Sequence, residues 1–138
     1  MKIERLDFIT IFVEDLDKAT QFFSDLFGTE FIPPYTTTMD TEETLDARGF
    51  NLVSPSTADG PSAKVMLKKG EGLISAGFKV TDLDEAIADF EKRGVRLLYR
   101  EKIGHAEYAA FHPKDTFGAM LMVVAYPDKD IAAAYTGK

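Results

Sequence analysis

Residues 8–23 read FITIFVEDLDKATQFF, and residues 75–90 read SAGFKVTDLDEAIADF. The two stretches align without a gap at an offset of 67 residues: Val13 on Val80, Asp15 on Asp82, Leu16 on Leu83, Ala19 on Ala86 and Phe23 on Phe90. Two copies at about half the chain length are the mark of one supersecondary unit used twice, not of a solenoid. Whatever this chain folds into must therefore accommodate the same local structure at two related places.

Each copy begins with strand-like alternation. Ile9, Ile11 and Val13 point one way and Phe8, Thr10 and Phe12 the other; in the second copy Ala76, Phe78 and Val80 oppose Ser75, Gly77 and Lys79. The period then becomes helical, with Leu16, Ala19, Thr20, Phe23, Leu26 and Phe27 on one face, and Leu83, Ala86, Ile87 and Phe90 on its counterpart. Asp15 and Asp82 stand where an N-cap carboxylate would satisfy free amide hydrogens, and Glu85 completes a capping box. Gly28 and Gly94 follow the last helical turns, where a left-handed stop suits glycine. Each copy is strand, tight turn, helix, glycine stop.

Taken in order, 6–13 is the first strand and 15–27 the first helix. A return strand is expected over 29–32, ended by Pro33-Pro34, and 35–43 reads as a polar loop able to act as a flap. Residues 44–53 fit one or two strands with a turn near Arg48-Gly49, 55–61 a linker between halves, 62–67 a further strand and 68–72 a turn. The second half gives a strand over 73–80, a helix over 82–93, and strands at 95–99, 108–112 and 119–124. A short helix is expected near 131–134. The fold class predicted is α+β: two β-α-β-β-β modules, 1–60 and 70–126, followed by a tail, 127–138.

The absence of cysteine removes disulfides, thiolate nucleophiles and thiolate metal sites. A net charge of −7 disfavours nucleic acid and anionic membrane as partners. No run approaches the ~20 apolar residues of a membrane span, and MKIERLDF at the N-terminus is no apolar signal segment, so a cytoplasmic location is expected. There is no glycine-rich phosphate loop, nucleophile elbow or dinucleotide fingerprint.

The paired modules, the two strand-DLDxA-helix segments and AAFHPKDTFGAMLMVV at 109–124 resemble the vicinal oxygen chelate superfamily of glyoxalases, bleomycin-resistance proteins, extradiol dioxygenases and methylmalonyl-CoA epimerases. The HPK-turn-glycine-strand ending is most similar to the epimerase branch. The resemblance implies a U-shaped mixed sheet around a cavity, with metal ligands on the first and last strands of each module. Those positions fall on Phe8, Ser75 and Met122, and near Asn51. Phenylalanine and methionine supply no hard oxygen or imidazole donor. The ancestral metal site is therefore expected to be absent, and neither metal nor other cofactor is expected.

The alternation places Phe8, Thr10, Phe12, Ser75, Gly77, Lys79, Met120, Met122 and Val124 on the concave side, a lining suited to an apolar or aromatic ligand with a polar end, or else a filled core. Asn51 and Tyr108 join the candidate binding residues. Only His105 and His112 are histidines. His105, in IGHAEY with Glu107 beside it, reads as a proton shuttle or as a surface residue, with Gly104 and Ala106 giving its backbone freedom to reach the cavity mouth. His112 resembles a family turn position. Asp46 and Arg48 read as a base with an anion clamp, or as a solvated pair. Two functions stay open: a metal-independent isomerase, epimerase or lyase moving a proton next to a carbonyl of a small organic acid, thioester or aromatic compound, and a sequestering protein of the bleomycin-resistance type. The partner expected is a small molecule, and the chain is expected to form a homodimer.

Overall fold

The computed structural model describes residues 1–137; Lys138, the last residue of the expected tail, lies outside the described residues. Eight strands form one mixed sheet: β1 (Ile3–Phe12), β2 (Tyr35–Thr36), β3 (Thr41–Leu45), β4 (Phe50–Pro55), β5 (Gly72–Val80), β6 (Leu97–Ile103), β7 (Ala106–Phe111) and β8 (Met120–Ala125). The helices are α1 (Leu16–Phe27), α2 (Pro61–Lys69), α3 (Leu83–Lys92) and α4 (Ile131–Thr136). The strand order is β2-β3-β4-β1-β5-β8-β7-β6.

That order is symmetric about its centre. The first strands of the two modules, β1 and β5, pair antiparallel; each pairs parallel with the last strand of its own module, β1 with β4 and β5 with β8. The register makes the equivalence residue by residue. Thr10 faces Asn51 as Gly77 faces Met122, and Phe12 faces Val53 as Lys79 faces Val124. The arms continue it: Glu43 faces Val53 as Tyr108 faces Val124, and Tyr35 faces Glu43 as Glu101 faces Tyr108.

Both helix caps form as their sequence requires. Asp15 accepts from the Lys18 amide and Asp82 from the Glu85 amide, each at 3.0 Å, and Gly28 ends α1 in the left-handed region. α1 buries Leu16 against Val13 and Leu52 on the convex face; α3 does the same with Leu83, Ala86 and Ile87 against Ala109, Phe111 and Val123. Phe90 stacks on Phe111 with ring centroids 3.9 Å apart.

Residues 62–67 are helical, not a strand. Pro61 occupies the first turn, where its fixed φ suits a helix and its missing N–H is no loss. Ser62, Ala63 and Met66 then turn one helical face inward. α2 follows β4 as α4 follows β8, so the repeat runs one element further than the strands alone suggested. The expected return strand at 29–32 is reduced to one bridge, Phe31 with Asp46. Residues 35–43 are not a free loop. They make β2 and enter β3 as a hairpin, whose tip residue Asp40 binds Ser56, Thr57 and Ser62. Those hydroxyls hold the Asp40 carboxyl below its ordinary value.

The two closing helices seal opposite ends of the concave face. Met66 of α2 covers Phe12 and Val53. Ile131, Ala134 and Tyr135 of α4 join Phe8, Leu45, Tyr108, Met122 and Tyr126 in the main core cluster. No helix among the described residues is long and apolar enough to cross a membrane.

Candidate active site

Between those two plugs a recess of about 80 Å³ remains. Its walls are Phe8, Val53, Ile74, Met120, Met122, Tyr99, Tyr108 and Tyr135, with Met39 of the hairpin tip at its edge; its polar lining is Thr10, Thr41, Glu43, Asn51 and Ser75. A space this size holds a few-atom group and not a whole drug-sized ligand, which needs ~300 Å³ or more.

The sheet register arranges the polar groups. Thr10 is directly opposite Asn51 on β4 and Ser75 on β5, so the three side chains form a row across adjacent strands. The Asn51 amide nitrogen donates to Thr10 Oγ1 at 3.2 Å and reaches Glu43 Oε1 at 3.5 Å. Asn51 Oδ1 and Ser75 Oγ are both buried and have no hydrogen-bond partner. Such atoms are uncommon in a native interior and point to something the site receives.

Glu43 is the one charged side chain of the lining. Thr41 Oγ1 donates to its Oε2 at 2.7 Å, and the Tyr35 hydroxyl lies 3.4 Å from Oε1. Burial raises the Glu43 carboxyl above its ordinary value, the three hydrogen bonds oppose that rise, and the nearby Glu101 charge adds to it. On the other arm the Tyr108 hydroxyl donates to Glu101 Oε2 at 2.8 Å, and the Thr38 amide donates to Glu101 Oε1 at 3.1 Å, bridging the two arms over the recess. Burial pushes the phenols of Tyr35, Tyr99, Tyr108 and Tyr135 up, so they remain neutral hydroxyls.

The structure brings Phe8, Thr10, Asn51, Ser75, Tyr108, Met120 and Met122 together at this recess. Phe12 lies past its end, under Met66. Lys79 does not line it: the ammonium sits 4.2 Å from the centre of the Tyr126 ring and 3.9 Å from Glu4. His105 is on an outer groove with Glu4, Lys102 and Tyr126, and its Nδ1 is 3.1 Å from Asp128. Its loop does not have the freedom its glycine suggested. The His105 amide donates to the Ala134 carbonyl at 2.8 Å, and α4 carbonyls fill the space beside Gly104. Glu107 pairs with Arg100 at 2.8 Å, not with His105, and that cation lowers the Glu107 carboxyl. Asp46 is buried as a bracket for the turn before β4, accepting from the Arg48 and Phe50 amides and from Thr29. Arg48 reaches toward the Phe27 carbonyl, away from the recess. His112 accepts from the Lys114 amide at 3.1 Å and so caps the short 3₁₀ turn Pro113–Asp115.

Glu43 is the residue that sequence reasoning missed. In TEETL, residues 43 and 45 share a face, so a strand begun at Thr41 puts Glu43 beside Leu45 on the concave side.

The four positions implied as metal ligands, Phe8, Asn51, Ser75 and Met122, surround the middle of the sheet, yet their chemistry does not fit a divalent ion. The Phe8 ring lies on Gly77, where an added Cβ would come within 2.1 Å of it, and fills that place with carbon. Among the described residues no three His, Cys, Asp or Glu side chains converge. One carboxylate with neutral oxygens is a poor donor set for a zinc- or cobalt-like ion.

The sequence profile described as "Glyoxalase/Bleomycin resistance protein/Dioxygenase superfamily" matches residues 5–123. Among curated proteins, the mitochondrial methylmalonyl-CoA epimerases of Mus musculus and Homo sapiens are 30% and 31% identical; the alignments span 87% and 85% of this chain and 72% and 71% of those proteins. Among solved structures, methylmalonyl-CoA epimerase from Mycobacterium tuberculosis superposes with a TM-score of 0.81 at 26% identity, covering 92% of this chain and 91% of that one. A variant of the Streptomyces coelicolor enzyme in complex with 2-nitronate-propionyl-CoA superposes with a TM-score of 0.82 at 25% identity, covering 92% and 100%. With the symmetric sheet, the enclosed recess and a profile match over most of the length in agreement, the chain belongs to the glyoxalase/bleomycin resistance protein/dioxygenase superfamily.

Proposed function

We propose that this protein is an epimerase- or isomerase-type enzyme that moves a proton at the carbon next to the carbonyl of an acyl thioester, with Glu43 as the proton carrier and without a divalent metal. The observation that carries this reading is Glu43 itself, the one charged side chain in the lining of the recess, raised in pKa by burial and held by Thr41 and Asn51. A base whose pKa is shifted toward working pH is the form of carboxylate that such chemistry uses. The Ser75 hydroxyl, buried and unpartnered, supports the reading as a donor for the carbonyl oxygen as negative charge develops there. The epimerase relatives support a thioester, and the small recess supports entry of the acyl end only, with the bulk of such a ligand outside.

The test is solvent deuterium incorporation at the α-carbon of short acyl-CoA thioesters, followed by mass spectrometry. Wild-type protein treated with chelator is expected to exchange at an undiminished rate, and Glu43→Gln to lose about 10²–10⁴-fold. His105→Ala, with its ring on the outer groove, is expected to exchange like wild type. Full activity in Glu43→Gln, or loss in His105→Ala, overturns the assignment of the proton carrier.

A further inference from the structure

Resting on that reading, we infer that the substituent this recess accepts beside the reacting carbon is a hydrogen-bond donor, a hydroxyl or an ammonium, and that a carboxylate is turned away. No lysine, arginine or histidine lines the recess. The two cations that could have been expected to reach it are engaged elsewhere, Lys79 over Tyr126 and Arg48 at the Phe27 carbonyl. Two carboxylates are already present, Glu43 in the lining and Glu101 behind the Tyr108 hydroxyl. A third negative charge brought into this buried space would find no counter-ion and would repel both.

The unpartnered atoms set the complementary requirement. Asn51 is 6% exposed and Ser75 4% exposed. The amide orientation of Asn51 is fixed by its surroundings, because the reverse placement would turn its oxygen toward the Glu43 carboxylate. Its nitrogen therefore serves Thr10 and Glu43, and its oxygen is left able only to accept. A carboxylate offers that oxygen nothing, whereas a hydroxyl or an ammonium offers it a hydrogen. Leaving a buried acceptor unmade is costly, so a ligand that satisfies it is selected over one that does not.

The experiment uses three CoA ligands of matched size: 2-hydroxypropionyl-, 2-aminopropionyl- and methylmalonyl-CoA, each as the analogue with methylene in place of sulfur to prevent hydrolysis. Binding is followed by backbone amide shifts in the full chain. At least one donor-bearing ligand is expected to bind about tenfold or more tightly than the methylmalonyl analogue, with the Asn51 and Ser75 resonances moving. That preference is expected to collapse in Asn51→Leu; Ser75→Ala, which removes one atom, is expected to weaken it and guards against a leucine variant that fails to fold. A tight ammonium arm alone, lost in Asn51→Leu, assigns recognition to Asn51 together with the carboxylates, and a tight hydroxyl arm alone to Asn51 and Ser75. Equal or tighter binding of the methylmalonyl analogue overturns the inference. So does a preference untouched in both variants, or no binding by any of the three. Preference without α-proton exchange would instead remove the proton-transfer reading and leave the recognition standing.

Discussion

Glu43 is held at a cost that its own titration can reveal. Its carboxyl is raised in the folded protein, chiefly by burial. The folded state then holds that proton more tightly than the unfolded chain does. The resulting contribution to stability is complete below the ordinary carboxyl pKa and is lost as pH rises through the raised folded value. Glu43→Gln, isosteric and uncharged, is thus expected to melt at a higher temperature than wild type near neutral pH, with the gap closing as pH falls toward 4. Thermal unfolding of both proteins across that range checks it, and a gap that widens on acidification would contradict the burial argument. The same residue shows where sequence reading stops. Phe8, Thr10, Ser75 and Met122 are legible because strand alternation fixes which way a side chain points, and Asn51 only through the family resemblance. Glu43 is not, because its strand begins three residues earlier than the polar, threonine-rich sequence suggests. His105 is a candidate by residue type, but the hydrogen bond from its amide to Ala134 is a tertiary contact that local sequence does not encode.

At the scale of single elements, the features written in local chemistry survive folding. The caps of α1 and α3 are made by the aspartates expected to make them, and Asp15→Ala or Asp82→Ala should each cost about 1 kcal/mol in a denaturant titration. The sequence does not identify α2, because the eight residues between Pro61 and Gly70 carry too few apolar positions to separate a short helix from a strand; burial of Met66 under the sheet's end decides it. Between β1 and β5, Gly77 is demanded by its partner and not by its backbone. The Phe8 ring occupies the space a side chain would need. Gly77→Ala should therefore destabilise by roughly 1–3 kcal/mol, and combining it with Phe8→Ala should give less than the sum of the two single losses, since the collision is removed.

Across the whole molecule, the described residues form two arms hinged at the β1–β5 seam and fastened over the recess by the Thr38–Glu101 hydrogen bond. Glu101→Ala should unfasten them, seen as faster hydrogen exchange at the Thr38 amide with little change in the amides of β1 and β5. The duplication that built the arms did not leave them chemically alike. At matching places each carries one phenol and one carboxylate, but in opposite order: Tyr35 then Glu43 on one arm, Glu101 then Tyr108 on the other. The inner strand thus presents a carboxylate from one side and a phenol from the other. A planar enolate lying between them would have two unlike faces, one turned to a proton acceptor and one to a hydroxyl. A fold built from two like halves that meet at an antiparallel seam would in this way tell left from right at a single carbon.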